Sequence, residues 1–405
     1  MVGLGYIGLP TAAIFADTGL QVIGVDVSST AVSTINSGRA HITEPDLDLL
    51  VRRVVTKGGL CATLTPEPAD AFILAVPTPF KADHEPDVSF IEAACESIAP
   101  FLQAGNLVVL ESTSPVGTTE KVSEWLARAR PDLTFPHDRG EASDIRVAHC
   151  PERVLPGQIL REVVHNARVI GGVTGKCAQA AMTLYKIFVQ GDCHLTTART
   201  AELAKLTENA YRDVNIAFAN ELSVICDGQG VNVWDLIRVA NLHPRVSILQ
   251  PGPGVGGHCI AVDPWFIVAA DPVNSRLIRT AREVNNAKPD WVVSKVRDAA
   301  AQVDSPVVAC LGLAYKPDID DLRESPSVEI VRKLAVSGDV EILPVEPHVE
   351  VLPRELAASG LKLHDLDQAL DRANIVLLLV DHASFRSVDR SRLDGKIIID
   401  TRGIW

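Results

Sequence analysis

"MVGLGYIGLPTAAIFADTGLQVIGVDV", residues 1–27, decides how the rest of the chain is read. Gly3, Gly5 and Gly8 form the pattern G-x-G-x-x-G and open an apolar helical stretch. "QVIGVD" then reads as a buried strand that ends in Asp26. In a dinucleotide-binding unit the first glycine makes the turn and the second lets the pyrophosphate approach the backbone. The third lets the helix pack closely on the strand, and the phosphates sit at the helix N-terminus. Tyr6 and Ile7 lie inside this turn and join the cofactor-binding set. A carboxylate at Asp26 accepts the ribose hydroxyls and repels a 2′-phosphate, so NAD is expected rather than NADP. The competing reading is a structural turn followed by a surface acid. Met1 and Val2 alone precede Gly3, where a strand of about five or six residues is usual. The expectation is therefore either a chain shortened relative to the functional protein or a fold that manages with a stub.

Outward from this turn, strand and helix signals alternate. "AFILAVPTP", "NLVVLESTSPVG" and "IRVAHCPE" read as further buried strands with helices between them, as in βαβ units. From about Thr196 to Gly228 no proline intervenes and apolar residues recur at helical spacing, which predicts one long helix. More helix is expected at "VWDLIRVAN" and "SRLIRTAREVNNAK". After "AKPDW" the alternation returns with "PVVACLGLAYK", "DVEILPVEP", "IVLLLVD" and "KIIID". The expected fold is α/β: two Rossmann-like doubly wound parallel-sheet domains joined by a central helical domain. Boundaries are placed at residues 1–193, 194–295 and 296–405.

Composition narrows the function. The 405 residues carry a formal net charge of −13, which argues against nucleic acid or an anionic membrane as partner. No apolar run reaches the ~20 residues of a membrane helix, and no signal-peptide pattern opens the chain. The eight cysteines have no zinc-ligand spacing and read as reduced cytosolic thiols, so a cytoplasmic protein without a metal site is expected.

One cysteine stands apart. In "GPGVGGHCIAVDPWF", residues 252–266, glycines including Gly256 leave the thiol of Cys259 unshielded, and Asp263 follows one helical turn later. A thiolate is a good nucleophile toward an aldehyde, while a buried packing thiol is the competing reading. Lys205 and Asn209, at i and i+4 on the long helix, share a face and suit a developing oxyanion. Glu152 follows a strand end, where α/β folds place ligands, and Thr78 and Thr113 occupy similar positions.

Seven motifs in order, "GLGYIGLP", "VPTP", "ESTSPVG", "PERVLPG", "AELAKLTENAYRD", "GPGVGGHCIAVDP" and "GLAYKPDIDDLRES", resemble the UDP-glucose/GDP-mannose dehydrogenase family over essentially the whole chain. The resemblance implies a four-electron oxidation of a sugar C6 alcohol with two NAD. Cys259 would be the nucleophile, forming a thiohemiacetal and then a thioester, with Lys205 and Asn209 stabilising the oxygen. Asp263 and Glu152 would handle protons and water, and Thr113 a water or cofactor oxygen. Thr78, Thr119 and Arg323 would contact the cofactor. Arg153, Val154, Arg212, His243, Arg245 and Gly256 would line the UDP-sugar pocket together with Lys205 and Asn209. Tyr315, Lys316 and Arg402 would bind the nucleotide end. Arg245 would reach the neighbouring subunit's site, so a homodimer is expected.

Two departures bear on the substrate. Pro156 stands where UDP-glucose members carry a second glutamate, and Val262 where they carry a lysine. Both point to the N-acetyl-hexosamine branch, with UDP-N-acetyl-D-mannosamine the expected substrate and UDP-N-acetyl-D-glucosamine the alternative. His258 beside the cysteine reads as a substrate contact. The rival readings are a one-step hydroxyacid dehydrogenase, which needs no cysteine, and a nucleotide-binding sensor without turnover.

Overall fold

The computed structural model describes residues 1–81, 84–155, 157–257 and 259–405, so the readings of Pro156 and His258 lie outside the described residues. It divides into two compact units, Met1–Glu208 with Trp265–Ala270, and Asn209–Pro264 with Asp271–Trp405.

The first unit contains β1 (Val22–Val25), β2 (Leu60–Thr63), β3 (Ala71–Leu74), β4 (Leu107–Leu110), β5 (Arg146–His149), β6 (Arg168–Gly172) and β7 (Cys193–Thr197). β1 pairs with β2, and β3, β4 and β5 follow one another, all in parallel. β6 departs from the expected parallel arrangement, running antiparallel to β5 and parallel to β7. β4 shows why these strands read as continuous apolar runs. Leu107 and Val109 pack into one core, Val108 and Leu110 into another on the opposite face.

The short N-terminal segment does the work of a central strand. Val2 bridges both Val25 of β1 and Leu74 of β3 in parallel. Val2 donates its N–H to Ile73, Ala75 donates to Val2, and Val25 donates to Met1. A stub of this length therefore ties β1 to β3 within the sheet.

The second unit carries most of the long helix, Ala198–Gln229, together with the helices Val233–Ala240 and Arg276–Ala300. Its sheet, in the order β11 (Ile397–Asp400), β10 (Ile375–Leu378), β8 (Val307–Leu311), β9 (Glu341–Val345), is parallel throughout. Helix Arg276–Ala300 continues through Pro289, past the break expected at "AKPDW", so the boundary placed near residue 296 falls inside it. Proline removes one N–H from the helix ladder without ending it, because Pro289, Val292, Val293 and Val296 are all buried on one side.

A buried polar ladder crosses this unit. Arg282 donates to Asp213 at 2.6 Å, Asn285 donates to Asp213 at 2.8 Å, and Asn220 donates to Asn285 at 2.8 Å. Asn220 Oδ1 then accepts the N–H of Gly252 at 2.8 Å, which anchors the start of the glycine-rich loop. No helix among the described residues is long and apolar enough to cross a membrane.

Candidate active site

In the first unit the glycine turn fits a dinucleotide. A Cβ on Gly3, whose φ is +88°, would lie 2.5 Å from the carbonyl oxygen of Ala75, and one on Gly8 would strike the carbonyl of Gly3. At Gly5 an added Cβ would meet nothing within 4 Å, so open space lies where the backbone must admit a pyrophosphate. Asp26 follows β1 with both oxygens oriented, Oδ2 accepting from Leu4 N–H and Oδ1 from Ser28 N–H, each at 2.9 Å. Tyr6 packs partly against the core beneath the turn.

Thr78 and Thr113 are brought together: the Thr78 hydroxyl donates to the Thr113 carbonyl at 2.7 Å. Thr119 is placed differently from the expectation. It is fully buried, and its hydroxyl donates to Glu202 at 2.6 Å, so it braces the long helix instead of opening to a ligand. Glu202 also accepts from the amides of Gly117 and Thr119, which fixes the first turns of that helix and with them Lys205. The sequence reading passed over Glu202. Its signal was a carboxylate three residues ahead of Lys205, one helical turn away.

Glu152 is nearly buried. Its Oε1 accepts the Arg153 N–H at 2.6 Å, and its Oε2 pairs with Arg168 at 3.1 Å. Arg153 turns its guanidinium to Glu208, at 2.7 Å, and to the Ala167 carbonyl, at 3.1 Å. Val154 is partly buried and packs against the first unit's core. His149, at the end of β5, is fully buried; burial and the charge of Lys205 lower it to about 3, which keeps the ring neutral.

In the second unit, Cys259 is exposed. Its carbonyl accepts the N–H of Asp263 at 2.8 Å, an i to i+4 bond that starts the helix Asp263–Ala270 and sets the aspartate one turn from the thiol. Asp263 is buried and its Oδ2 accepts from Asn209 Nδ2 at 2.5 Å, so the long helix and the cysteine turn share one polar contact. Gly257, at φ +84°, lies under the ring of Tyr315, which a Cβ would approach to 2.8 Å. Gly256 likewise has the Glu324 backbone against it, so Tyr315 and the loop after β8 are packed on the cysteine loop.

Of the remaining expected residues, Arg402 is paired with Asp381 at 2.8 Å and lies against Gly252, close to the anchored loop. Arg323 pairs with Asp321 at 2.7 Å on an exposed stretch. Lys316 is half-buried in the loop after β8. Arg212, His243 and Arg245 are exposed, with the Arg245 amide donating to His243 Nδ1 at 3.3 Å. The group Asp318, His348 and His382 could hold a metal among the described residues. Both ring nitrogens of His382 are already engaged, one by the Asp318 amide at 2.9 Å and one by Glu346 at 3.1 Å. The trio therefore reads as an anchor for the loop after β8.

The dinucleotide-binding turn of the first unit marks an NAD-dependent oxidoreductase. The chain belongs to the UDP-glucose/GDP-mannose dehydrogenase family. Its NAD binding domain matches residues 1–189, its central domain residues 199–287 and its UDP binding domain residues 309–405. An NDP-N-acetyl-D-galactosaminuronic acid dehydrogenase of Ralstonia nicotianae is 63% identical over all of this chain and 95% of that protein. A UDP-N-acetyl-D-mannosamine dehydrogenase of Yersinia pestis is 58% identical over all of this chain and 98% of that protein. The structure of the UDP-N-acetyl-mannosamine dehydrogenase of Staphylococcus aureus is 43% identical, covers all of this chain and 94% of that one, and superposes with a TM-score of 0.88.

Proposed function

We propose that the chain oxidises the C6 alcohol of a UDP-linked 2-acetamido sugar to the carboxylate, with UDP-N-acetyl-D-mannosamine the first choice of substrate. The observation that carries this reading is the cysteine turn: an exposed Cys259 whose own carbonyl starts the helix bearing Asp263, with Asn209 on Asp263. Gly3, Gly5, Gly8 and Asp26 would hold NAD, which would accept the hydride leaving C6 in each of two oxidations, the first also releasing the C6 hydroxyl proton to solvent to give the aldehyde.

The chain's own residues do the rest. Lys205 and Asn209 present N–H donors to the substrate oxygen as charge develops on it. The thiolate of Cys259 adds to the aldehyde carbon, forming a C–S bond, and the carbonyl oxygen takes up a proton to give a thiohemiacetal. Loss of a second hydride and of that proton leaves a thioester. Water, oriented by Asp263 or Glu152, then attacks the thioester carbon and the C–S bond breaks, releasing the acid and the thiol. Tethering keeps the half-oxidised sugar in place while the coenzyme is exchanged.

A second reading of the substrate has its own support. The Ralstonia relative, at the higher identity of the two, is named for N-acetyl-D-galactosaminuronic acid. Both names share the acetamido group and differ in the sugar's configuration. Turnover of UDP-N-acetyl-D-mannosamine, UDP-N-acetyl-D-glucosamine and UDP-N-acetyl-D-galactosamine at matched concentration separates them. The mannosamine reading requires the highest kcat/KM for the first and two NADH per sugar.

The same reading includes a homodimer. Tyr211, Phe218 and Ile225 are exposed at seven-residue spacing along the long helix. A second copy of this chain is the occupant that suits a self-complementary helix face. Phe218→Glu should shift the mass measured by light scattering from dimer to monomer. Restored turnover on mixing Cys259→Ser with Arg245→Ala chains would place Arg245 in a shared site.

A further inference from the structure

Behind Glu152 the first unit buries a set of charges that the reaction described above does not use. Arg168, at the start of β6, is 3% exposed, and Glu111, just past β4, is 1% exposed. The guanidinium lies between two carboxylates, 3.1 Å from Glu152 Oε2 and 3.6 Å from Glu111 Oε1. It also contacts the thiol of Cys150 at 3.7 Å and covers the ring of Tyr185 at 4.8 Å. The Tyr185 hydroxyl donates to Glu111 Oε1 at 3.2 Å, while Glu111 Oε2 has no partner among the described residues.

Two carboxylates share one cation in a dry core. An ionised Glu111 would keep a bare, charged oxygen there, which costs far more than a neutral carboxyl in the same place. Glu152 has both oxygens engaged, one by the Arg153 amide and one by Arg168, which fixes the plane of its carboxyl group. The geometry points to Arg168 as a positioning residue that holds the Glu152 carboxylate in place, with Glu111 carrying the proton that leaves Arg168 to Glu152. This assignment rests on the reading of Glu152 as a residue that handles water or a proton.

Burial pushes the carboxyl of Glu111 well above its usual range, against the pull of Arg168, and Glu152 pushes it in the same direction as burial. The groups that face it are Arg168, Glu152, Tyr185, Cys150 and the Met1 amino group. Burial raises Tyr185 and Cys150, so neither competes for the negative charge at neutral pH. When Glu111 does ionise, it draws Arg168 toward itself and loosens the pair with Glu152.

Infrared spectroscopy of the full chain tests the proton directly. At neutral pH the wild-type minus Glu111→Gln difference spectrum should contain the carbonyl stretch of an un-ionised carboxyl, fading as pH rises through about 8. Absence of that band overturns the inference whether or not any sugar is turned over. In the NADH assay the alkaline limb of the kcat profile should weaken in Glu111→Gln. The ratio of its rates above and below this pH should exceed the wild-type ratio by about threefold or more. Superimposable profiles overturn it. Arg168→Lys should lower kcat by about tenfold or more with KM little changed, and an equal loss in both would assign Arg168 a structural role. If none of the UDP-acetamido sugars reacts, the reading of Glu152 fails while the infrared band still decides where the proton sits.

Discussion

Asn209 donates its amide N–H to the carboxylate of Asp263 at 2.5 Å, and both side chains are buried. The aspartate is also fixed through its backbone, because the Cys259 carbonyl accepts its N–H. Thiol, carboxylate and amide are therefore spaced by a helical turn and one hydrogen bond, which leaves little freedom for Asp263 to rotate away. Asp263→Asn keeps the volume and removes the acceptor charge. Its kcat should fall by about 10²–10⁴, the range for loss of a general acid or base, with NAD affinity retained because the glycine turn is untouched. Single-turnover NADH release and NAD titration measure the two separately.

Cys259→Ser should abolish acid formation. An alkoxide does not form readily from serine at neutral pH, so neither the tethered intermediate nor the thioester can follow. The wild type should release two NADH per sugar and the variant none beyond the first oxidation, read by absorbance against sugar consumed. Full acid production by the variant would favour a mechanism in which water adds to a free aldehyde.

Asp26→Asn should weaken NAD and narrow its lead over NADP. The carboxylate is held by two backbone amides, and where it takes the ribose hydroxyls as proposed an amide loses charge-assisted bonds worth about 1.5–3 kcal/mol. Fluorescence titration with both coenzymes reports the ratio of dissociation constants, which should drop by at least about tenfold. An unchanged ratio would remove Asp26 from coenzyme selection.

A buried lysine gives a prediction in pH. Lys288 is 4% exposed, donates to the Ser223 hydroxyl and lies 3.6 Å from the centre of the Trp291 ring. Burial lowers it from 10.5 to about 7, against the attraction of Asp227. Between these two values the unfolded chain binds a proton that the folded chain does not. This group's effect on stability therefore improves as pH rises from about 7 to 10.5 and worsens as pH falls through the same window. Lys288→Met should flatten that part of the stability profile and be the more stable chain at neutral pH. Urea melts of both chains across this window check the sign.

Asn220 offers a test of the polar ladder. Asn220→Ala strands the Gly252 N–H and an oxygen of Asn285 in the core, each costing about 1–3 kcal/mol. The denaturation midpoint should fall accordingly, and turnover should fall with it through the loosened glycine loop.

Much of this was legible in the residues. Gly3, Gly5, Gly8 and Asp26 carry a local pattern whose geometry is set by backbone sterics, and the turn forms as that pattern expects. The long helix was visible because a stretch without proline kept one period, and it runs Ala198–Gln229, 32 residues. β6 and β7 were missed for physical reasons. "RVIGG" ends in two glycines and "CHLTT" is largely polar, so neither carries the apolar run of β4. Helix Arg276–Ala300 was cut short because Pro289 reads as a stop, whereas tertiary packing carries the helix past it. At the site, chemistry-bearing residues stood out and their supports did not. Glu202, Arg168 and Asn220 act through partners distant in sequence, such as Thr119, Glu111 and Gly252, and no spacing rule reveals them.

The row of buried side chains from Arg282 through Asp213 and Asn285 to Asn220 acts as a vernier between two long helices. Leucines in those places would let either helix slide by a turn, about 5.4 Å, and still find apolar cover. Amides and carboxylates cannot slide, since each displaced partner would be left with unmet bonds in the dark of the protein. The register of the two helices is therefore set by polar partners, and the loop that Gly252 begins inherits that register through Asn220.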